Sequence, residues 1–230
     1  MTNGQRGALN WKGATMLKIE KRYLTPNLRV EQRAEGEIAG LSGYAAVFNK
    51  RSVELWGFYE VLAPGVFADS LAAEDDVLAL WNHDPNWILA RSTNGSLRLK
   101  EDKVGLISEI DPLDTAINRG FVAAIERGDV TQMSFAFVAT DERWDLDANE
   151  QWVRTILRAK LYDVSPVTYP AYLDTSIGVR SAGTMNPVFG YVPELPVELQ
   201  RALQWDGQAG DALALERERR TRRLRLMGLK

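Results

Sequence analysis

Between about residue 38 and residue 168 the chain is cut into short alternating or apolar runs separated by turn residues, and this limits the fold more than any other feature. The runs fall at Glu35–Phe48, Trp56–Leu62, Val77–Trp81, Trp87–Arg91, Ser96–Lys100, Leu106–Ile110, Val130–Thr140 and Trp152–Val164. Most are the length of a strand and too short for a stable helix, and the clearest have a period of two. Many short strands at close spacing predict a barrel or sandwich. Gly40 and Gly43 predict a bent or bulged first strand. Pro64-Gly65 is a turn signal, and Asn94-Gly95 has the chemistry of a hairpin turn. Two helices interrupt the strands. One is short, Val66–Ala73. The other spans about Ala116–Arg127, with Asp114 or Thr115 as its cap, Gly128 as its stop and Ile117, Phe121, Ala124 and Ile125 as its apolar stripe. The expected class is α+β, mainly β: a small β-barrel with flanking helices.

Length and composition suit one globular domain with arms, or two small ones: 230 residues, 45% hydrophobic and 26% charged. We divide the chain into an N-terminal arm (1–35), where the alternation of Leu17 and Ile19 allows a first strand within Thr15–Arg33, a main domain (36–180) and a linker with a tail (181–230). The last part holds Pro187, Pro193 and Pro196, a short helical pattern at Pro196–Trp205 and an arginine-rich helical pattern at Asp211–Leu229. Residues 211–230 carry seven Lys/Arg against three Asp/Glu, a charge of +4. With −3 for the whole chain, the first 210 residues carry −7. Such a tail reads either as a partner-binding or targeting arm or as a solvated helix with pairs such as Glu216 with Arg220.

Several classes of function fall away. With no cysteine there is no disulfide, thiolate metal site or cysteine nucleophile, and a single histidine leaves zinc almost without ligands. No cofactor motif is present, and the weak net charge gives no sign of specific nucleic-acid binding. No apolar run approaches the ~18–20 residues of a membrane span, and the first residues lack the apolar core of a secretory signal. A soluble cytoplasmic protein is expected.

Three residue types remain that can make chemistry together. His83, the single histidine, ends the run that begins at Val77, and Pro85 is expected to stop that strand. An imidazole there is either a structural or surface group or a general base near neutral pH. Ser134 lies on the Val130–Thr140 strand, flanked on its own face by Gln132 and Ala136. It is either a strand serine bonded to a neighbour or a hydroxyl with room for a reactant. Asp163 extends the row Thr155, Leu157, Ala159 and Leu161. It is either a solvated strand end at a Ser165-Pro166 turn or a buried carboxylate that needs a partner. A serine becomes a nucleophile when a base takes its proton, and the base needs a carboxylate to orient it. Asp84, beside His83, is a rival orienter. Glu109, Asp111 and Asp84 form a weaker alternative set that could hold Mg²⁺ for a hydrolase.

A series of motifs narrows this choice. Gly40–Phe48 (GLSGYAAVF), Glu60–Phe67 (EVLAPGVF), Leu80–Asp84 (LWNHD), Gly128–Phe137 (GDVTQMSFAF) and Leu161–Ala171 (LYDVSPVTYPA) occur in this order over roughly residues 36–180. Together they resemble the prohead (capsid maturation) proteases of tailed bacteriophages of the HK97 type. The resemblance implies a herpesvirus-assemblin-like serine protease, with Ser134 as nucleophile, His83 as base and Asp163 where the family usually has Glu. Ala136 stands where the family often has Gly. It also implies that the chain acts in the host cytoplasm inside the procapsid. There it would cut the scaffolding region of the major capsid protein and itself, and relatives of this type point to a homodimer. On this reading the residues beyond about 185 are a packaging or self-removed segment. An alternative of another class is a non-proteolytic capsid assembly or scaffolding protein that keeps the fold.

Overall fold

A computed structural model describes residues 18–24, 28–55, 57–168, 185–186, 190–191 and 193–202. The chain runs β1 (Glu20–Leu24), β2 (Arg29–Glu31), β3 (Gly40–Val47), β4 (Phe58–Leu62), α1 (Ala68–Ala72), β5 (Leu78–Trp81) and β6 (Asp84–Arg91). A 3₁₀ turn, Ser92–Asn94, leads to β7 (Leu97–Glu101), β8 (Gly105–Ile110), α2 (Ala116–Arg127), β9 (Gln132–Leu146) and β10 (Trp152–Val167). β11 (Met185–Asn186), β12 (Gly190–Tyr191) and α3 (Val197–Ala202) follow. This is the mainly β, α+β class that the strand spacing predicts.

The strands form two sheets. The larger has the order β11-β12-β1-β9-β10-β5-β6, with β4 also on β10, and the smaller has β2-β3-β8-β7. The long β9–β10 hairpin is the spine. β10 takes β4 in parallel along Trp152–Ile156 and β5 in parallel at Asp163 and Val164, while β9 carries β1 on its other side. One core lies between the sheets. Leu41, Leu106 and Ile110 from the smaller meet Met133, Phe135, Phe137 and Leu161 from the larger, all at most 1% exposed. Phe67, just before α1, meets Phe135 edge-on at 5.7 Å. Among the described residues no helix is long and apolar enough to cross a membrane.

Local signals place most boundaries. The Thr115 hydroxyl accepts from the Asn118 amide at 3.2 Å, and Gly128 ends α2 at φ 88°. The bend expected near Gly40 and Gly43 is a register shift between Tyr44 and Ala46.

Several expectations are corrected. Pro85 does not stop the strand. It lies inside β6, which is an edge strand and does not need the missing N–H. Asn94-Gly95 is no hairpin turn, because β6 and β7 belong to different sheets. β9 and β10 run on to Leu146 and Val167, so the loop between them shrinks and Ser165-Pro166 is strand rather than turn. The buried face of α2 is Asn118, Val122 and Ile125, and Ile117 is 50% exposed. Asn118 can be buried because its side-chain amide donates to the Leu113 carbonyl at 2.9 Å. The strand possible within Thr15–Arg33 is present as β1 and joins the main sheet. The short helical pattern at Pro196–Trp205 holds α3, and Leu195 and Leu199 are buried against Leu55 and Phe58. The lead before residue 18 and the arginine-rich pattern at 211–229 lie outside the described residues.

Candidate active site

The single histidine sits in a two-residue turn. Trp81 and Asp84 pair, so Asn82 and His83 alone join β5 to β6. Both have positive φ, 55° and 58°, as a type I′ hairpin turn requires. Asparagine accepts this conformation readily and histidine less so. The turn is fastened to the end of β10: the Asn82 amide donates to the Pro166 carbonyl (3.0 Å), and the Thr168 amide donates to Asn82 Oδ1 (2.9 Å). This anchorage fixes the turn that carries the His83 imidazole.

Ser134 lies opposite Tyr23 of β1 and Ser165 of β10. Residues directly opposite share a face, so Ser134, Ser165 and Ala136 project together. Asp163 joins them through a bulge. Leu161 is opposite Phe137 and Asp163 is opposite Ala136, which leaves Tyr162 as an extra residue. The apolar row containing Leu161 therefore does not continue to Asp163, contrary to simple alternation. Asp163 is turned to the Ser134 face.

The structure brings the three expected side chains into contact. His83 Nδ1 is 2.5 Å from Asp163 Oδ1, and His83 Nε2 is hydrogen-bonded to Ser134 Oγ. The Ser165 hydroxyl donates to the same Asp163 oxygen at 2.7 Å. Ser134 has no exposed surface, and the His83 side chain is 3% exposed. Ser134 Oγ also lies 2.8 Å from the Arg22 carbonyl of β1, an acceptor that competes with His83 for the single hydroxyl proton. If Nδ1–H is donated to Asp163, Nε2 is left to accept from the serine.

The other acids do different work. Asp84 Oδ1 accepts from the Asn86 amide (2.9 Å) and side chain (2.8 Å), which closes a local turn. Glu109 and Asp111 both pair with Arg98, at 3.0 and 2.6 Å. Among the described residues no three His, Asp or Glu side chains are grouped to hold a metal.

Sequence reasoning missed Ser165, the anchoring role of Asn82 and a buried ionic cluster on the opposite face of β9. Arg22 reaches Glu60 through two bonds, at 2.7 and 2.8 Å, and Arg154 reaches Glu20 at 2.5 and 2.8 Å. Arg154 also bonds Glu60 at 2.9 Å and pairs with Glu142. Burial pushes the Glu60 carboxyl up, but Arg22 and Arg154 overcome this and hold it below the ordinary carboxylate range. The one sequence signal was the charged residues at alternate strand positions, Glu20 and Arg22.

No curated protein matches the chain at the sequence level. Among solved structures it is similar to the capsid assembly protease of bacteriophage T4, at 13% identity and a TM-score of 0.46, covering 68% of this chain and 100% of that one. The family model described as "Caudovirus prohead serine protease" matches residues 26–187, well over half of the sequence. The chain therefore belongs to the caudovirus prohead serine proteases, enzymes of phage capsid maturation.

Proposed function

We propose that Ser134 is the nucleophile, His83 its base and Asp163 the group that orients the imidazole. The protease would cut the scaffolding region of the major capsid protein, and itself, inside the procapsid. The observation that carries this reading is the unbroken contact from Asp163 through His83 to Ser134. His83 Nε2 takes the hydroxyl proton as Oγ bonds to the scissile carbonyl carbon. Asp163 stabilises the imidazolium that results. The imidazolium gives that proton to the leaving amine as the C–N bond breaks. Water then attacks the acyl-serine by the same route, and the acid product leaves. The bulge at Tyr162 and the anchored turn at Asn82 support the assignment, because both aim a side chain at one point between β9 and β10.

In this reading residues 36–180 form the protease domain together with β1 and β2 of the N-terminal arm, the residues beyond about 185 serve packaging or are removed by self-cleavage, and the chain works as a homodimer. The test is the intact mass of the chain and of its capsid precursor after co-expression, for wild type and Ser134→Ala. Trimming in wild type alone is expected, with turnover in the variant lower by roughly 10⁶. Equal trimming in both removes Ser134 from the role. No trimming in either favours a structural capsid component.

A further inference from the structure

Ser134 is fully buried in a chain whose function requires that hydroxyl to meet a peptide, so a neighbour has to move. Among the described residues three elements meet its hydroxyl or its partners. β10 carries Asp163 and Ser165, and the β5–β6 turn carries His83, so displacing either separates the three side chains. β1 is different. It meets the Ser134 hydroxyl with a backbone carbonyl, that of Arg22, at 2.8 Å from Oγ. β1 also lies antiparallel along β9 over five residues, Glu20 opposite Phe137 to Leu24 opposite Met133. That is how an extended peptide would lie if it were added to this edge.

We propose that the β9 edge from Met133 to Phe137 is the surface that takes an extended substrate chain, and that β1 is its resting occupant, an inhibitory strand that substrate displaces. The inference rests on Ser134 being the nucleophile. Ladder hydrogen bonds are indifferent to side chain, so any extended segment can replace those made by β1. Departure of β1 breaks the buried Arg22–Glu60 and Glu20–Arg154 bonds, a cost that the incoming strand has to offset. Its described buried side chains, Glu20 and Arg22, are charged and can be rehydrated. Glu60, Arg154 and Glu142 remain paired with each other when β1 leaves. Among the described residues the sheet continues beyond β1 through β12, which meets β1 at Glu20–Gly190. In the resting state the Arg22 carbonyl competes with His83 for the serine proton, and displacing β1 leaves that proton to the base.

The experiment locks β1 in place. The chain has no cysteine, so Lys21→Cys with Ala136→Cys, a directly opposed pair, creates the one available disulfide. Oxidised and reduced forms of this full-length variant, and wild type, are treated with a fluorophosphonate that labels active serines, and adducts on Ser134 are measured by mass. Labelling at least tenfold slower in the oxidised form, restored by reductant, is expected. Equal rates in a fully cross-linked and a reduced sample overturn the inference. Absence of adduct on Ser134 in wild type instead overturns the nucleophile assignment, and the strand proposal with it. If the cysteine pair does not fold or join, amide hydrogen exchange of wild type with and without the Ser134 adduct decides. Loss of protection in β1 with β9 still protected supports displacement, and unchanged protection in β1 overturns it.

Discussion

Leu161 and Asp163 are two residues apart in one strand, yet they project from opposite faces of the sheet. Leu161 lies across from Phe137 in the core row, and Asp163 lies across from Ala136 on the Ser134 side. The extra residue between them, Tyr162, makes the difference. A carboxylate that continued the Leu161 row would lie on the Phe135 and Phe137 face, away from His83. Turned over, it meets His83 and Ser165. Asp163→Asn keeps this shape but removes the charge and the preference for the Nδ1–H tautomer. We expect kcat to fall by roughly 10⁴ with the fold intact, measured on a peptide cut from the capsid precursor. A loss under tenfold would show that Asp163 is not the orienting group.

The turn at Asn82 separates backbone strain from anchorage. Asn82 has φ 55° and also receives the Thr168 amide on its side chain. Asn82→Gly suits the φ but lacks the acceptor. Asn82→Ala lacks both and costs a further 1–2 kcal/mol or so for its left-handed conformation. Glycine should therefore leave the urea midpoint nearly unchanged while turnover drops about tenfold or more, as His83 loses its fixed position. Alanine should lower both. Wild-type turnover in the glycine variant would show that the anchor does not matter.

The ionic cluster makes stability depend on pH through Glu60. Its folded pKa is held below the ordinary 4.5, so its contribution is complete above the unfolded pKa and is lost as pH falls through the folded one. Wild type should therefore lose stability on acidification below about pH 4.5 more steeply than Glu60→Gln, read from urea midpoints between pH 3 and 6. Above that range the variant should be less stable by about 3–5 kcal/mol, because Arg22 and Arg154 lose a shared partner in a buried site. Parallel pH profiles would remove Glu60 as the titrating group.

Gly105 tests the junction of β3 and β8. A Cβ there would lie 2.0 Å from the Ala46 carbonyl oxygen, which belongs to backbone and cannot swing aside. Gly105→Ala should destabilise the fold by about 3 kcal/mol, the upper end of ordinary overpacking, measured by denaturant unfolding. The site lies in the other sheet, so turnover per folded molecule should hardly change.

Much of this protein is legible in its sequence. The α2 boundaries at Ala116 and Arg127, the Thr115 cap and the Gly128 stop follow from interactions within one or two helical turns. The strand-rich class follows from the period-two runs. His83, Ser134 and Asp163 are candidates by their residue types and motifs, although 51 and 80 residues separate His83 from the other two. What local sterics and hydrophobic period cannot specify is which strand lies beside which, or a register offset of one residue. Those choices belong to packing between distant segments. Hence the parallel placing of β4 and β5 on β10, the flip at Tyr162, the rotation of α2 and the burial of Glu20 and Arg22 beside the serine strand emerge only in the folded chain. The same is true of the closed state of the site. A stretch that reads in sequence only as a possible first strand of the N-terminal arm covers Ser134, because the exposed edge of β9 needs hydrogen-bond partners and β1 provides them.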